Sequence, residues 1–163
     1  MKYPCRKSTI VGAAFSLLFV AGCGGGGTEE EDTPEAAAFR FRDAVMEVIE
    51  GKMLTIRAME LGDSPVDEAV FAKSVADLQV MAGMVTEGFM LEGISANSRA
   101  IPEIWSDWDD FNQKAANLQS AVDTLAEAVA DGGFEAGQDL VQSTAENCSG
   151  CHRPYRGRED GEE

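Results

Sequence analysis

The segment from Asn147 to Arg156, with the sequence NCSGCHRPYR, combines two cysteines with the only histidine of the chain. Cys148 and Cys151 are separated by two residues, and His152 follows directly. Four kinds of site use such residues: a zinc site, a redox-active dithiol, a structural disulfide and a covalently attached haem. The first residues of the chain, its helical pattern and its other cysteines discriminate among the four.

The first residues predict that the chain is exported. A basic start, with Lys2, Arg6 and Lys7, precedes an apolar run over residues 10–20, which is typical of a signal peptide. The letters VAGC that follow resemble the lipobox of bacterial lipoproteins, and this resemblance implies that Cys23 is lipidated. An ordinary export signal with an incidental cysteine is the alternative.

These features divide the chain into four predicted parts. They are a lipoprotein signal peptide (1–22), a lipidated cysteine with a flexible Gly-rich and acidic tether (23–33), a folded domain (34–156) and an acidic tail (157–163). We expect a periplasmic protein that is lipid-anchored to a bacterial membrane. Only Cys148 and Cys151 then remain free for chemistry in the folded domain.

The chain is strongly acidic, with 13 basic against 29 acidic residues and a formal net charge of −16. Removal of the signal peptide takes away three basic residues and no acidic ones, which leaves a net charge of −19. Such a surface repels nucleic acid and anionic lipid headgroups. The charge therefore favours a basic protein partner, or solubility alone, and contact with the membrane through the N-terminal lipid only.

Hydrophobic spacing predicts an all-α fold, because apolar residues recur at three- and four-residue steps and no segment alternates with a period of two. The first predicted helix runs from about Pro34 to about Met59, and the second begins after a cap at Ser64, with Pro65 at its first position. The third runs from near Pro102 to the glycines at 132–133. The fourth runs from about Phe134 through the cysteine motif. A long crossover over residues 87–100 joins the second helix to the third. The pattern favours an antiparallel up-down-up-down four-helix bundle.

Three of the four chemistries leave part of the motif unexplained. A closed zinc site usually needs four Cys or His ligands, and the folded domain offers three. A thioredoxin-like dithiol expects a preceding strand, and a simple disulfide gives the histidine no role. Covalent haem accounts for all three residues, because two thiols can add to the two vinyl groups of a porphyrin while the imidazole of His152 holds the iron. The sequence therefore predicts one haem c.

The single histidine also restricts the opposite face of the iron to a methionine, an open site or a weak ligand such as lysine or water. In an up-down-up-down bundle the start of helix 1 and the end of helix 2 lie beside the end of helix 4. Met53 and Met59 are therefore predicted to lie at the wrong end. The remaining candidates are Met46, Met81, Met84 and Met90, and any of them could instead be a core filler.

At these residues the sequence resembles the class II c-type cytochromes, the cytochrome c′ family. The matching pieces are FRDAVM in helix 1, IPEIWSDWDDFNQKAANL at the start of helix 3 and CSGCHRPYR at the end of helix 4. The resemblance covers roughly residues 35–156. It implies a four-helix bundle that carries one covalent haem.

The resemblance also implies roles for individual residues. It implies thioether bonds at Cys148 and Cys151, proximal ligation by His152, a proximal position for Arg156, and a position near the haem propionates for Arg42. Met46 falls at the distal position of helix 1, where open high-spin members hold a bulky Leu, Phe or Tyr and low-spin members a ligating methionine. The chain therefore resembles the low-spin, methionine-ligated subgroup, in an unusual acidic lipoprotein form.

The sequence thus predicts a single-haem electron carrier with redox protein partners, in which Trp105 and Trp108 help to bury the haem. One alternative is a five-coordinate haem protein that binds nitric oxide or carbon monoxide, and a second is a haem-free helical lipoprotein with a disulfide. We do not expect an enzyme, because the histidine is committed to iron and no buried carboxylate pair is evident. Relatives in the family often pair through helices 1 and 2, which implies a homodimer.

Overall fold

The computed structural model describes residues 33–93 and 98–157. Its elements are α1 (Pro34–Glu60), α2 (Glu68–Gly83), a 3-10 turn (Glu87–Phe89), α3 (Glu103–Ser106) and α4 (Trp108–Tyr155). These described residues contain no strand, and one isolated bridge pairs Ala100 with Arg156. The predicted signal peptide, the predicted lipidation site at Cys23 and the predicted acidic tail from residue 158 onward lie outside the described residues.

Helix α1 begins and ends where the sequence predicts. The side chain of Thr33 accepts a hydrogen bond from the backbone N–H of Ala36 at 3.1 Å, and Pro34 occupies the first helical position. The buried face of the helix repeats at three- and four-residue steps through Arg42, Val45, Ile49, Met53, Ile56 and Met59. Arg42 is the only charged residue in this stripe.

Helix α2 starts three residues later than the position predicted from Ser64 and Pro65. Its cap is Asp67, whose carboxylate accepts hydrogen bonds from the N–H groups of Ala69 and Val70, both at 3.0 Å. Ser64 instead belongs to the turn that closes α1, since its N–H donates to the carbonyl of Ala58 at 2.9 Å. The predicted apolar stripe of this segment is buried as expected, with Phe71, Val75, Leu78, Ala82 and Val85.

The third predicted helix is divided into two elements. Short helix α3 ends at Asp107, whose backbone angles (φ −114°, ψ 42°) are not helical, and α4 begins at Trp108. The glycines at 132 and 133 break α4 as predicted, and Gly133 has a φ of 65° that favours glycine. We call residues 108–131 the first arm of α4 and residues 134–155 its second arm.

The helices form the predicted four-helix bundle, with α1, α2 and the two arms of α4 as its four members. An ion pair at 2.8 Å links Lys52 on α1 to Asp77 on α2. A hydrogen bond at 2.9 Å joins Arg57, near the end of α1, to Gln142, in the second arm. The start of α1 and the end of the second arm border one cavity, so these two helices are antiparallel.

Within the described residues one stretch, Glu68–Phe89, is long and apolar enough to cross a membrane. One such helix is weak support for a membrane span, because the core helix of a soluble bundle has the same composition. Here the side chains of Phe71, Val75 and Leu78 are at most 1% exposed and belong to the common core of the bundle. We therefore interpret α2 as a core helix.

Candidate functional site

A cavity of about 490 Å³ lies between α1 and the second arm of α4. Its apolar floor includes Val85, Phe89, Ile104, Phe111, Ala115 and Leu118, which come from the turn after α2, from α3 and from the first arm. The six side chains that the sequence singled out within the described residues all line it: Arg42, Met46, Cys148, Cys151, His152 and Arg156. The fold therefore brings two distant segments, one from each end of the domain, to a single site.

The two thiols lie one helical turn apart on the second arm, and both cysteines are free and half-buried. Burial raises the pKa of both thiols, and the nearby ammonium of Lys114 partly opposes this at Cys151. The sulfur of Cys148 also lies 3.9 Å from the carbonyl oxygen of Thr144. The helix thus presents two thiols along one wall of the cavity, in the spacing that attachment to two neighbouring groups of one ligand requires.

His152 lies at the rim of the cavity and is exposed to solvent. Partial desolvation lowers the pKa of its imidazole, and the positive charges of Arg156 and Arg99 lower it further, against an opposing contribution from Glu50. A lowered pKa favours the neutral imidazole, which is the form that binds a metal.

Two methionines line the cavity, and the expectation for one of them was wrong. Met46 does so as predicted, but Met53 also does, and it is only 8% exposed. The two residues are seven apart, which is two helical turns, so they share one face of α1. Met81, Met84 and Met90 are not among the lining residues.

The pairing of α1 with the second arm gives the approximate level of His152 along the cavity. Arg57 contacts Gln142, and the two helices are antiparallel with the same rise per residue. His152 lies ten residues beyond Gln142, so it faces the part of α1 about ten residues before Arg57, where Glu50 influences the pKa of its imidazole. Met46 lies about one turn to one side of Glu50 and Met53 about one turn to the other, with roughly 10 Å of helix between the two methionines.

Arg42 is a buried cation with incomplete hydrogen bonding. It is 4% exposed, and its Nη2 donates to the carbonyl oxygen of Gly93 at 2.5 Å. Its guanidinium lies over the rings of Phe89 and Trp105, at 5.2 and 5.7 Å from their centroids. Its Nε and Nη1 have no hydrogen-bond partner among the described residues, and desolvation lowers its pKa. A buried charge with two unused donors favours an anionic group within the cavity.

The tryptophans do not occupy the positions predicted for them, because neither Trp105 nor Trp108 lines the cavity. Trp105 lies under Arg42 and donates from Nε1 to the carbonyl of Phe89 at 2.9 Å. Trp108 stacks on Phe111 with a centroid distance of 5.5 Å. The apolar walls are instead provided by Phe89, Phe111 and smaller side chains. Phe111 could be anticipated from the sequence, because it belongs to the apolar stripe of the first arm.

Sequence reasoning also missed Tyr155, which lines the cavity and is 5% exposed. Its hydroxyl donates to Oδ2 of Asp110 at 2.6 Å, and its ring meets that of Phe111 edge-on at 5.5 Å. It follows His152 by three residues, so helical spacing places it on the same side of the second arm. That spacing could have identified it.

A C-x-x-C-H segment is characteristic of c-type haem proteins, and here it lies on a four-helix bundle and borders an apolar cavity. The family model for cytochrome c′ matches residues 37–156. The chain belongs to the cytochrome c′ family. It carries one covalently bound haem c, as the proteins of this family do.

Individual relatives agree with this assignment. The chain is 30% identical over 154 residues to a cytochrome c-556 of Agrobacterium fabrum, covering 93% of this chain and 97% of the relative. It is 30% identical to a cytochrome c′ of Halomonas halodenitrificans, covering 73% and 95%. In fold it is similar to the solved cytochrome c′ of Shewanella frigidimarina, with a TM-score of 0.71 and 27% identity over 76% of this chain and 97% of that one.

The residues of the cavity fit a haem. Two free thiols lie on one wall, an imidazole favoured in its neutral form lies on the rim, and the unused donors of Arg42 match the carboxylates that a haem carries. Apolar side chains line the remainder. Among the described residues, no three His, Cys, Asp or Glu side chains are grouped so that they could hold a metal ion by themselves, which disfavours the zinc alternative.

Proposed function

We propose that this protein is a single-haem electron carrier whose iron is held by His152 and Met46. The observation that carries the proposal is that Met46 lines the same cavity as the cysteine motif, at the position of α1 where the resemblance implies a ligating methionine. When bound, the haem supplies reversible one-electron chemistry at iron. The attachment points that we propose for it are the thiols of Cys148 and Cys151.

The other residues of the site would hold and tune this group. An imidazole and a thioether that remain in place in both oxidation states keep the rearrangement on electron transfer small. Arg42 is placed to donate hydrogen bonds to a carboxylate inside the cavity, and Arg156 adds positive charge beside His152 at the rim. The apolar floor excludes water and lowers the local dielectric constant, which shifts the redox potential.

We further propose that the carrier functions in the periplasm, anchored through a lipid on Cys23. The basic and apolar start of the chain and the VAGC segment support this, and residues 34–156 would form the domain beyond the tether. The net charge favours basic redox partners, and a homodimer through α1 and α2 is consistent with exposed apolar residues on these helices, such as Val48 and Val80. Proteins of this family bind haem and are generally not enzymes, and we propose that this chain is not an enzyme either.

The ligand assignment is tested by the visible spectrum of the reduced protein. We expect a sharp low-spin α band for the native protein and a high-spin spectrum for Met46→Leu. Met81→Leu serves as the matched control, because Met81 is a half-buried methionine that packs on the core without lining the cavity. Loss of the low-spin band in Met53→Leu, with Met46→Leu unchanged, would instead assign the distal ligand to Met53.

A five-coordinate protein that binds nitric oxide or carbon monoxide is the second candidate. The observation that favours it is that Met46 is only half-buried, so its side chain is not fixed in place by complete packing. A solved cytochrome c′ variant of Alcaligenes xylosoxidans with the same fold has bound nitric oxide. Carbon monoxide should bind faster to Met46→Leu than to the native protein if Met46 is a ligand, and at the same rate if the native site is open.

A further inference from the structure

The last turn of the second arm is weakened as a helix by its own sequence. It contains Pro154, which has no backbone N–H and therefore leaves the carbonyl of Gly150 without its usual helical donor. The helix ends at once, since Arg156 has extended backbone angles. The residue between these two, Tyr155, is buried and follows His152 by three positions. The turn that carries the imidazole therefore depends on contacts with other parts of the fold.

Tyr155 supplies the most buried of these contacts. Its hydroxyl donates to the carboxylate of Asp110 at 2.6 Å, and its ring packs edge-on against Phe111. Asp110 and Phe111 lie in the first turn of α4, and Asp110 precedes Tyr155 by forty-five residues. On the outside, the N–H of Gly157 donates to the carbonyl of Arg99 at 2.7 Å. The final turn is thus held from two sides.

From this geometry we propose that Tyr155 and Asp110 act together as positioning residues for His152. Their hydrogen bond holds the last turn of α4 against the start of the same helix. This turn carries His152, so the hydrogen bond also fixes the position and orientation of the imidazole at the cavity rim. The inference rests on the proposed function, in which His152 holds the iron.

The properties of the two side chains agree with such a role. The hydroxyl of Tyr155 has one described partner, and burial together with the hydrogen bond to Asp110 raises its pKa, so it remains a donor at physiological pH. Asp110 is largely exposed and has a second, longer contact with Lys114 at 3.6 Å. A hydrogen bond to a charged acceptor is stronger than one between neutral groups, and this one is partly shielded from water by the ring of Tyr155.

The test measures amide hydrogen exchange and the midpoint potential in the haem-loaded protein. In Tyr155→Phe and in Asp110→Ala, the amides of residues 149–153 and 155–157 should exchange about tenfold faster, as expected for loss of a charge-assisted hydrogen bond, while residues 134–141 keep their native rates. The midpoint potential should shift in both variants. The double variant should resemble either single one, because both remove the same interaction.

Asp109→Ala is the matched control, since Asp109 is an exposed aspartate in the same turn with no described partner, and it should retain native exchange and potential. Equal acceleration in both segments would show a general loss of stability, and unchanged exchange at 149–157 would show no role for the pair. Either result overturns the proposal, as would additive effects in the double variant. A protein that carries no haem would refute the proposed function, whereas the exchange experiment on that protein would still test the pair.

Discussion

At the glycine end of the bundle, around Gly133, side chains fill the space between the helices, whereas at the cysteine end the helices surround a cavity. The ring of Phe71 is fully buried and meets the ring of Phe134 edge-on at 5.0 Å. A Cβ on Gly137 would lie 2.5 Å from a methyl carbon of Val129, so the helices approach closely at this point. The backbone N–H of Phe134 is satisfied by the carboxylate of Glu68 at 2.9 Å.

The cysteine end has the opposite character. Arg42 is buried with two donor nitrogens unused, the two thiols are half-buried with raised pKa values, and the imidazole lies at the rim of open space. Native interiors rarely leave charged donors unpaired or large spaces unfilled. The difference between the ends indicates that the glycine end is complete as a protein core, while the cysteine end is completed by the haem.

The largest effect that we expect from this comparison is at the glycine end. Phe71→Ala should lower the free energy of unfolding by about 3–5 kcal/mol, because it removes a fully buried ring and leaves a cavity. The loss should be the same in the haem-loaded protein and in the haem-free Cys148→Ser/Cys151→Ser variant. Chemical denaturation of both forms measures it. Val70→Ala is the control, because Val70 is 43% exposed beside Phe71 and its truncation should have a minor effect.

A loss from Phe71→Ala that differs strongly between the two forms would mean that the haem also supports the glycine end. The two ends of the bundle would then not be independent of each other in stability. Hydrogen exchange can separate the ends directly, because removal of the haem should accelerate exchange in the last turns of α4 and leave residues 134–141 protected.

The next largest effect should change sign with the haem. In the haem-loaded protein Arg42→Met should reduce the free energy of unfolding by about 1.5–3 kcal/mol, because a buried carboxylate of the haem would lose its charged donor. In the haem-free variant the same change should be neutral or stabilising by about 1–3 kcal/mol, since it removes an incompletely partnered buried cation. Denaturation of the four proteins measures both signs.

Arg40→Met provides the control for Arg42→Met, because Arg40 is exposed on the same helix two residues earlier. We expect it to change stability by the same amount in both forms, because Arg40 does not line the cavity. Destabilisation by Arg42→Met of equal size with and without haem would contradict the reading of Arg42 as an anion-binding group and would assign it to the packing on Phe89 and Trp105.

Sequence periodicity predicted the helices well because the buried faces repeat regularly and the ends carry recognisable residues. Thr33 with Pro34 and the paired glycines at 132–133 are local signals, and each acts where the sequence places it. The predicted cap of α2 was wrong because Ser64 and Asp67 are both residue types that cap helices well. Which of them caps α2 depends on how the turn after α1 closes. The break at Asp107 has no local signal of this kind.

The cavity residues were predictable where a motif or a single helix determines them. All six proposed site residues of the described chain line one cavity, because the motif lies on one helix and the resemblance supplied its partners on α1. The sequence analysis did not predict that Met53 lines the cavity, because the extent of the cavity along α1 depends on the separation between α1 and the second arm. The contact between Tyr155 and Asp110 joins residues forty-five apart, and only the packing of the two arms reveals it.

The smallest effect that we predict concerns the cap that closes the glycine end. Glu68→Ala should lower the free energy of unfolding by about 1 kcal/mol, because the N–H of Phe134 at the start of the second arm loses its acceptor. Glu68→Gln keeps an oxygen acceptor and should recover most of that loss. Denaturation curves should show the same difference with and without haem, because this end is complete without it. A loss for Glu68→Gln as large as that for Glu68→Ala would mean that the charge at the helix start, rather than the hydrogen bond, stabilises this end.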